Sequence, residues 1–261
     1  MPPSSIVSSL RNAGCVFAED EAALLTEAAG DGADLDRLVA RRAGGEPLEY
    51  VLGWAGFRGL RVVVEPGVFV PRQRSGFLVE QALAVLPAGG VVVDLCCGSG
   101  ALGAAVAAER PDATVHAADL DPSAARCARR NLAGRVYEGD LFAALPPELR
   151  GGIDVVVANV PYVPSGAIAS MPPEAREHEP SIALDGGADG LDTLRTVARE
   201  APSWLAAGGH LLSETSEQQA DGAAAALADA GLAPYVERCE ELGATVVAGR
   251  AVHDRQDAGH S

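Results

Sequence analysis

The 261-residue chain contains no lysine, and all 20 of its basic residues are arginine. This absence excludes Schiff-base enzymes, pyridoxal phosphate enzymes that anchor their cofactor on lysine, and P-loop nucleotide-binding proteins. Cysteine is scarce, and the five cysteines form no C-x-x-C pair, which favours reduced thiols over a disulfide framework. No apolar run is long enough to cross a membrane, and the first residues lack the charged-then-apolar order of a signal peptide. We therefore expect a cytoplasmic protein without a membrane segment.

The chain is strongly acidic, with 36 acidic residues and a formal net charge of −16. This charge makes nucleic acid an unfavourable partner, because phosphate contacts require local positive charge, and it favours a protein target. Two short motifs could suggest a metal site. Glu177-His178-Glu179 is more typical of an exposed loop than of a metal cluster, and Cys96-Cys97 comes with no further ligands. No metal site is expected.

The first 55 residues predict a small helical domain, with helices over residues 4–10, 20–29 and 34–43. Extended runs on both sides of Glu65-Pro66-Gly67, over 56–64 and 68–70, predict a β-hairpin within a linker that covers 56–75. Residues 76–252 are assigned to a second domain, and the tail over 253–261 is predicted to be disordered.

From residue 77 onward, strands and helices alternate, which predicts an α/β fold with a doubly wound, mainly parallel sheet. A closing antiparallel pair is expected near the end of the chain, over 235–239 and 245–251. In such a sheet, ligands bind at the carboxyl ends of the strands. The remaining predicted strands cover residues 91–95, 114–118, 135–137, 153–158 and 210–214. The helices between them cover residues 101–109, 122–131, 191–205 and 217–230.

Acidic or glycine-rich motifs follow four of the predicted strands. Asp94 ends the first strand and precedes Gly98 and Gly100, which would let a ligand approach the backbone closely. Asp119, followed by Leu120, ends the second strand, where a carboxylate can accept both ribose hydroxyls of an adenosine. The other two motifs are Asp140-Leu141-Phe142, with Asp140 facing an adenine amino group and Phe142 beside the ring, and Asn159-Val160-Pro161-Tyr162.

These motifs leave the cofactor class open between a dinucleotide and S-adenosylmethionine. Gly98, Gly100 and Gly103 satisfy G-x-G-x-x-G, the dinucleotide fingerprint, which would indicate a nicotinamide-dependent oxidoreductase. However, four residues from Asp94 onward separate the strand from the first glycine, and a carboxylate beside a pyrophosphate is electrostatically unfavourable. S-adenosylmethionine carries no phosphate, and its ammonium and sulfonium groups suit Asp94. We therefore favour S-adenosylmethionine.

In their order and spacing, the four motifs resemble those of class I S-adenosylmethionine-dependent methyltransferases. Asn159-Val160-Pro161-Tyr162 is similar to the (Asn/Asp)-Pro-Pro-Tyr signature of members that methylate planar amide or amino nitrogens. More specifically, the chain resembles the HemK/PrmC family, the protein-(glutamine-N5) methyltransferases of peptide-chain release factors. The resemblance extends over about 200 residues and is carried also by residues 42–53, by Val70-Pro71-Arg72 and by residues 179–191.

The resemblance implies a Rossmann-like class I methyltransferase fold with a mainly parallel seven-stranded sheet and a small helical N-terminal domain that recognises substrate. It implies S-adenosylmethionine as cofactor and a protein substrate, a release factor, for a chain that is expected to be a monomer. The residues implied for catalysis are Asn159, Val160, Pro161 and Tyr162. Those implied for the cofactor are Asp94, Cys96, Gly98, Gly100, Asp119, Leu120, Asp140, Leu141, Phe142 and Asn159, and those for the substrate are Pro71, Arg72 and Gln73.

The chemistry explains these catalytic residue types. An amide nitrogen is a poor nucleophile because its lone pair is delocalised into the carbonyl. The side-chain oxygen of Asn159 and the backbone carbonyl of Val160 could accept its two N–H groups and aim the lone pair at the methyl group. Pro161 biases Val160 towards an extended conformation, and Tyr162 could stack on the amide plane.

The chain departs from the family pattern at three places. Cys96 replaces the first glycine of the Gly-x-Gly-x-Gly loop, and Val160 replaces the first proline of Asn-Pro-Pro-Tyr. Residues 73–76, Gln-Arg-Ser-Gly, replace a stretch that is usually Pro-(Asp/Glu)-Thr-Glu. The last change concerns the target rather than the chemistry and is compatible with a divergent paralogue. Arg72 and Arg74 can form a site for an anionic target or can simply be solvated. An adenine or small-molecule amine substrate, and a cofactor-binding protein without catalysis, remain alternatives.

Overall fold

The computed structural model describes residues 3–133 and 135–252, so the predicted disordered tail at 253–261 lies outside the described residues. The helices are α1 (Pro3–Asn12), α2 (Ala18–Ala28), α3 (Gly32–Ala43), α4 (Leu48–Leu52), α5 (Gly76–Val85), α6 (Ala101–Glu109), α7 (Pro122–Asn131), α8 (Pro173–His178), α9 (Asp192–Glu200) and α10 (Ala220–Asp229). The strands are β1 (Trp54–Phe57), β2 (Leu60–Val63), β3 (Val91–Leu95), β4 (Thr114–Asp119), β5 (Val136–Glu138), β6 (Ile153–Ala158), β7 (Leu205–Thr215), β8 (Leu232–Cys239) and β9 (Ala244–Ala251). Short 3-10 turns lie between them. None of the helices in this part of the chain is long and apolar enough to span a membrane.

Helices α1 to α4 surround an apolar cluster of their own, and the three predicted N-terminal helices are confirmed with bounds within two residues. Asp31 begins α3 because its side chain accepts a hydrogen bond from the backbone N–H of Asp34 at 2.8 Å. The buried guanidinium of Arg42 joins these helices to the rest of the chain. It donates to Glu21 on α2, with a shortest contact of 2.6 Å, and to Glu174 on α8 at 3.2 Å.

The hairpin lies earlier in the chain than the sequence predicts. Strands β1 and β2 pair in antiparallel register across a two-residue turn, in which Arg58 (φ 46°) and Gly59 (φ 78°) both have left-handed backbones. This is the type I′ geometry that matches the twist of two paired strands. The prediction of a hairpin around Pro66-Gly67 is therefore wrong. Residues 68–70 form no strand, and the backbone carbonyl of Val68 instead accepts a hydrogen bond from the Tyr50 hydroxyl at 2.7 Å.

Within the described residues, seven strands form one sheet in the order β5-β4-β3-β6-β7-β9-β8, and only β9 runs in the opposite direction to the other six. Both faces of the sheet are covered. Val92 and Val155 pack with α5 and α6 on one face, whereas Val93 and Val156 pack with α9 and α10 on the other. Burial on both faces explains the continuous β-branched runs of β3 and β6. The predicted fold class is confirmed.

Two predicted helices are shorter than expected because other local structure replaces their ends. The predicted helix over 191–205 ends at Glu200, where a 3-10 turn containing Pro202 leads into β7. Proline lacks the N–H that would continue the helical hydrogen bonds. Before α10, Ser216 and Gln219 cap a 3-10 turn, so that the helix itself begins only at Ala220. Strand β7 is longer than the predicted strand over 210–214, and it brings Glu214 to the carboxyl edge of the sheet.

Candidate active site

A cavity of about 470 Å³ opens at the carboxyl edge of the sheet. Because β4 and β5 lie on one side of β3, and β6 and β7 on the other, the cavity has two parts. We call the part at β4 and β5 the acidic lobe (Cys96, Gly98, Asp119, Leu120, Asp140) and the part at β6 and β7 the arginine lobe (Arg72, Arg74, Ser75, Asn159, Tyr162). The other predicted residues that line the cavity are Pro71, Leu141, Val160 and Pro161.

Asp119 is the central carboxylate of the acidic lobe. One oxygen accepts a hydrogen bond from the Gly98 N–H at 2.8 Å, and the other accepts from the Asp121 N–H at 2.9 Å. Burial raises the pKa of Asp119, and these backbone hydrogen bonds oppose that rise. Each carboxylate oxygen can accept more than one hydrogen bond, so the group can still accept from ligand hydroxyls. Leu120, 52% exposed, offers an apolar surface beside it.

The loop after β3 has the backbone conformation that favours glycine, including at the position where this chain has cysteine. Cys96 has a φ of 54°, close to the 55° of Gly98. A left-handed backbone costs a residue with a side chain roughly 1–2 kcal/mol, and this chain tolerates that cost at Cys96. Gly100 does not line the cavity. A Cβ there would lie 3.1 Å from atoms of Ala128 and Leu132, so this glycine permits close packing against α7 instead.

Asp94, which the sequence predicts as a cofactor ligand, lies beneath the loop and does not line the cavity. Its side chain is fully buried, and one oxygen accepts a hydrogen bond from the Gly103 N–H at 2.9 Å. The other oxygen has no hydrogen-bond partner among the described residues. Desolvation raises the pKa of Asp94 to about 8. The structure thus shows an anchor for the first turn of α6 at the position where the sequence predicts a cofactor ligand.

This burial predicts that Asp94→Asn stabilises the protein increasingly as pH rises from about 4 to about 8. The folded state keeps the Asp94 proton up to about pH 8, whereas the unfolded chain releases it near its ordinary pKa of about 4. The unfolded state therefore binds fewer protons in this window, and stability falls as pH rises. Asparagine stays neutral and still accepts from Gly103. In urea unfolding, we expect the variant to gain at least about 1 kcal/mol over wild type between pH 5 and pH 8; a gain that does not depend on pH would contradict the prediction.

Three further sequence predictions need correction. Phe142 is fully buried and stacks on Trp204 with ring centroids 5.5 Å apart, so Leu141 rather than Phe142 lines the cavity. Gln73 points away from the cavity and donates a hydrogen bond to the Gly56 carbonyl at 2.5 Å. Glu179 is buried and forms a two-oxygen contact with Arg72, both at 2.7 Å, so this end of Glu177-His178-Glu179 is not an exposed loop.

In the arginine lobe, a directed chain of hydrogen bonds fixes the orientation of Asn159. The Asn159 Nδ2 group donates to the Ser75 hydroxyl at 3.4 Å, and this hydroxyl donates to Glu214 Oε2 at 2.6 Å. An ionised carboxylate can only accept. Ser75 must therefore donate to Glu214 and accept from Asn159. It follows that the nitrogen of the Asn159 amide faces Ser75 and that its oxygen Oδ1 is available to a ligand.

The same carboxylate also holds Tyr162 and Arg74. Glu214 is 2% exposed, and its Oε1 accepts from Arg74 Nε at 2.8 Å and from the Tyr162 hydroxyl at 2.9 Å. Arg74 Nη2 donates to the Tyr162 oxygen at 2.6 Å. Burial raises the pKa of Tyr162 to about 12, so the phenol stays protonated at neutral pH. These contacts fix the ring of Tyr162 beside Asn159.

The backbone from Asn159 to Tyr162 is held by a glycine-rich loop. A Cβ on Gly186 would lie 2.6 Å from the Pro161 carbonyl oxygen, and one on Gly190 would lie 2.3 Å from that of Tyr162. Only glycine permits such approaches. The carbonyl of Tyr162 also accepts from Gln219 Nε2 at 2.8 Å. By contrast, none of the described residues donates a hydrogen bond to the carbonyl of Val160, which lines the cavity next to Asn159 in sequence.

The sequence analysis missed Ser75, Glu214 and Gln219. Only Glu214 carries a usable signal, since it is a carboxylate at the end of a predicted parallel strand, the same signal that identifies Asp119. No cluster of three or more His, Cys, Asp or Glu side chains that could hold a metal ion is found in residues 3–133 and 135–252.

Comparison with known proteins identifies the family. A family model described as "Methyltransferase small domain" matches residues 59–171. A release factor glutamine methyltransferase of Neisseria gonorrhoeae is 43% identical over 201 residues, which cover 75% of this chain and 73% of the relative. The chain belongs to the release factor glutamine methyltransferase family. A member from Geobacter sulfurreducens is 42% identical over 189 residues, 70% of this chain and 66% of the relative, so the match spans just under two thirds of that protein.

The wider comparison includes a relative with another acceptor. A 4-amino-L-phenylalanine/4-methylamino-L-phenylalanine methyltransferase of Streptomyces pristinaespiralis is 41% identical over 191 residues, 69% of this chain and 65% of the relative. Among solved structures, a methyltransferase from Pyrococcus furiosus matches with a TM-score of 0.57 at 17% identity, over 75% of this chain and 91% of that one. The predicted family and the class I methyltransferase fold are therefore confirmed.

Proposed function

We propose that this protein transfers a methyl group from S-adenosylmethionine to the side-chain amide nitrogen of a glutamine in a protein, a peptide-chain release factor. The observation that carries the proposal is the pair of acceptors at the junction of the two lobes. Asn159 Oδ1 is directed away from Ser75, and the Val160 carbonyl has no protein donor among the described residues. Membership of the release factor glutamine methyltransferase family supports the same acceptor.

The acidic lobe has the chemistry that S-adenosylmethionine requires. The Asp119 carboxylate can accept ribose hydroxyls while it keeps its bonds from Gly98 and Asp121. Leu120 offers an apolar surface for a base, and the exposed Asp140 carboxylate can accept from an amino group. The carboxylates of Asp119 and Asp140 line this lobe, and they would repel the pyrophosphate of a dinucleotide. When bound, S-adenosylmethionine supplies an electrophilic methyl group.

Residues of the arginine lobe would prepare the acceptor nitrogen. A glutamine amide places its two N–H groups on Asn159 Oδ1 and the Val160 carbonyl, which fixes the nitrogen and turns its lone pair towards the acidic lobe. The fixed ring of Tyr162 would stack on the plane of the glutamine amide. Both Glu214 oxygens already accept hydrogen bonds, so Glu214 is not a free base. As the nitrogen bonds to the methyl group, the sulfur–methyl bond of the cofactor would break and S-adenosylhomocysteine would leave. The nitrogen is then cationic and loses its proton to solvent without a strong base, so alignment and preorganised dipoles supply the catalysis.

For the helical part, we propose substrate recognition by a domain over residues 1–55, followed by a linker over 56–75 and the catalytic domain over 76–252. Helices α1 to α4 have a separate apolar core, which supports the division. Arg42 and Tyr50 connect these helices to the rest of the chain, through Glu174 on α8 and through the carbonyl of Val68, which lines the cavity. Such contacts would hold a bound protein at a fixed distance from the cavity.

The cofactor is tested by thermal shift. We expect S-adenosylhomocysteine to raise Tm, because a ligand that binds only the folded state stabilises it by about 2.7 kcal/mol at 100 times its Kd. NAD and NADP should leave Tm unchanged, because the Asp119 and Asp140 carboxylates would repel their phosphates. A shift with NADP and none with S-adenosylhomocysteine would end the proposal.

The acceptor is tested by mass spectrometry. A release factor incubated with the protein and S-adenosylmethionine should gain one methyl group on the glutamine of its Gly-Gly-Gln sequence, whereas the same factor with that glutamine replaced should gain none. Lack of the modification on an intact factor would contradict the proposed target.

A small amino-acid amine is the second candidate acceptor. The Streptomyces pristinaespiralis relative supports it, because the substrate in the name of that protein is an aromatic amine of an amino acid. Two N–H acceptors at Asn159 and Val160 fit any planar NH₂ group. Competition between the release factor and 4-amino-L-phenylalanine for methyl transfer separates the two candidates.

A further inference from the structure

Arg74 lines the cavity with a partly exposed guanidinium group. Its Nε and Nη2 groups donate to Glu214 and Tyr162, whereas no hydrogen bond from Nη1 is found within residues 3–133 and 135–252. The Arg74 side chain keeps 45% of its surface exposed and lines the cavity. Because two of its nitrogens are anchored, the position and direction of the third are set before any ligand binds.

Arg74 also lies very close to the catalytic position. Its neighbour Ser75 is hydrogen-bonded to the Asn159 side chain, and its own Nη2 group contacts the Tyr162 hydroxyl. A ligand group bound at Nη1 would therefore lie near the nitrogen that Asn159 holds.

Charge is distributed unevenly over the cavity. The acidic residues Asp119, Asp121 and Asp140 follow β4 and β5, whereas Arg74 lines the cavity at the end of β7, where it is bonded to Glu214. Arg72 is the second basic residue of the lining. A further lining carboxylate, that of Asp192, pairs with Arg195 at 3.2 Å.

The carboxylates that pair with the two lining arginines are themselves buried and fully engaged. Glu179 is held by Arg72 and by the Val70 N–H, and Glu214 by Arg74, Tyr162 and Ser75. Neither presents a negative charge to a ligand.

The family pattern at this place has the opposite charge. The stretch that is usually Pro-(Asp/Glu)-Thr-Glu contains two carboxylates, whereas residues 73–76 of this chain contain none and carry one guanidinium. The substitution removes two negative charges and adds a positive one beside the acceptor nitrogen. An acceptor suited to the family pattern would not need the exposed N–H groups of Arg74.

We propose that the acceptor of this enzyme carries a carboxylate close to the nitrogen that is methylated, and that Arg74 Nη1 binds this carboxylate. The inference rests on the proposed function and narrows its substrate class. Arginine is suited to the role because its planar group donates to two carboxylates at once. The carboxylate can be an acidic side chain next to the glutamine in a protein segment, or the α-carboxylate of a free amino-acid acceptor.

The test measures acceptor binding by calorimetry on the full chain saturated with S-adenosylhomocysteine, so that no turnover is needed. One pair of probes is a Gly-Gly-Gln peptide with Glu or with Met at the positions flanking the glutamine. The second pair is N-acetylglutamine and N-acetylglutaminamide, which differ in the α-carboxylate. In at least one pair we expect the carboxylate probe to bind at least about 10-fold more tightly, and the pair that discriminates identifies the source.

Variants of Arg74 test whether this residue causes the preference for the carboxylate probes. Arg74→Gln should reduce the preference for the carboxylate probe to less than about 2-fold. Arg74→Lys should keep part of this preference, because lysine retains the positive charge but lacks the planar, two-sided guanidinium group. The matched control is Arg238→Gln, which removes an arginine from an exposed pair with Glu217 outside the cavity. Equal binding within both pairs, no binding by either carboxylate probe, or discrimination that survives Arg74→Gln would overturn the inference. Binding of S-adenosylhomocysteine and methylation of a release factor are measured separately, so their loss identifies failure of the proposed function instead.

Discussion

Replacing Asn159 with alanine should reduce kcat for methyl transfer at least about 100-fold, equivalent to about 2.7 kcal/mol of transition-state stabilisation. The variant loses one of the two acceptors that align the amide N–H groups, and the remaining carbonyl of Val160 cannot fix the rotation of the nitrogen alone. Asn159 lies at the junction of the lobes, away from the Asp119 carboxylate. The Kd of S-adenosylhomocysteine should therefore change less than about 3-fold, and kcat should carry the loss.

The matched control is Asn12→Ala, at the exposed end of α1, which should keep wild-type turnover. Single-turnover rates on a release factor, together with calorimetry for S-adenosylhomocysteine, separate alignment from cofactor binding. If Asn159→Ala kept more than a tenth of the wild-type rate, the aligning role of this side chain would be wrong.

The sequence predicts those features of the site that depend on where the backbone runs, and it does not predict those that depend on the direction of a side chain. Asp119 and Asn159 follow buried parallel strands, and strand ends meet at one edge of the sheet, so their approximate positions follow from the pattern. The same rule fails for Asp94, because it specifies the edge but not the direction of the side chain. Asp94 turns beneath the loop to meet Gly103, and only packing reveals this.

Adjacent residues show the same limit. A periodic pattern cannot decide which of Leu141 and Phe142 faces the ligand, because the 3-10 turn that starts at Leu141 has no strand or helix period. Trp204, 62 residues later, provides the stacking partner that draws Phe142 into the core. The series of hydrogen bonds from Glu214 through Ser75 to Asn159 cannot be predicted from the sequence either, since Ser75 and Glu214 are 139 residues apart. Long-range contacts of this kind set the chemistry of the arginine lobe.

Replacing Glu214 with glutamine should lower kcat about 30-fold, or about 2 kcal/mol, although Glu214 touches neither substrate nor cofactor. Glutamine offers one acceptor and one donor. When its oxygen keeps Arg74 and Tyr162, its amino group faces Ser75, and the Ser75 hydroxyl must then donate to Asn159. This reversal turns the Asn159 amide so that its N–H groups, not Oδ1, face the acceptor amide.

The double variant with Ser75→Ala distinguishes this reversal from a general loss of packing. Ser75→Ala alone leaves Asn159 free to rotate and should cost only about 10-fold in kcat. If Glu214 acts through Ser75, the Glu214→Gln/Ser75→Ala double variant should be no slower than Ser75→Ala, because no hydroxyl remains to force the wrong orientation. A general loss of packing predicts instead that the double variant is at least as slow as Glu214→Gln, because removing the Ser75 hydroxyl then restores nothing. Glu217→Gln, which alters an exposed partner of Arg238, is the matched control and should leave kcat unchanged. Because the chain of donors and acceptors is directional, the decisive result is that Ser75→Ala makes the Glu214→Gln variant faster, which a loss of packing does not predict.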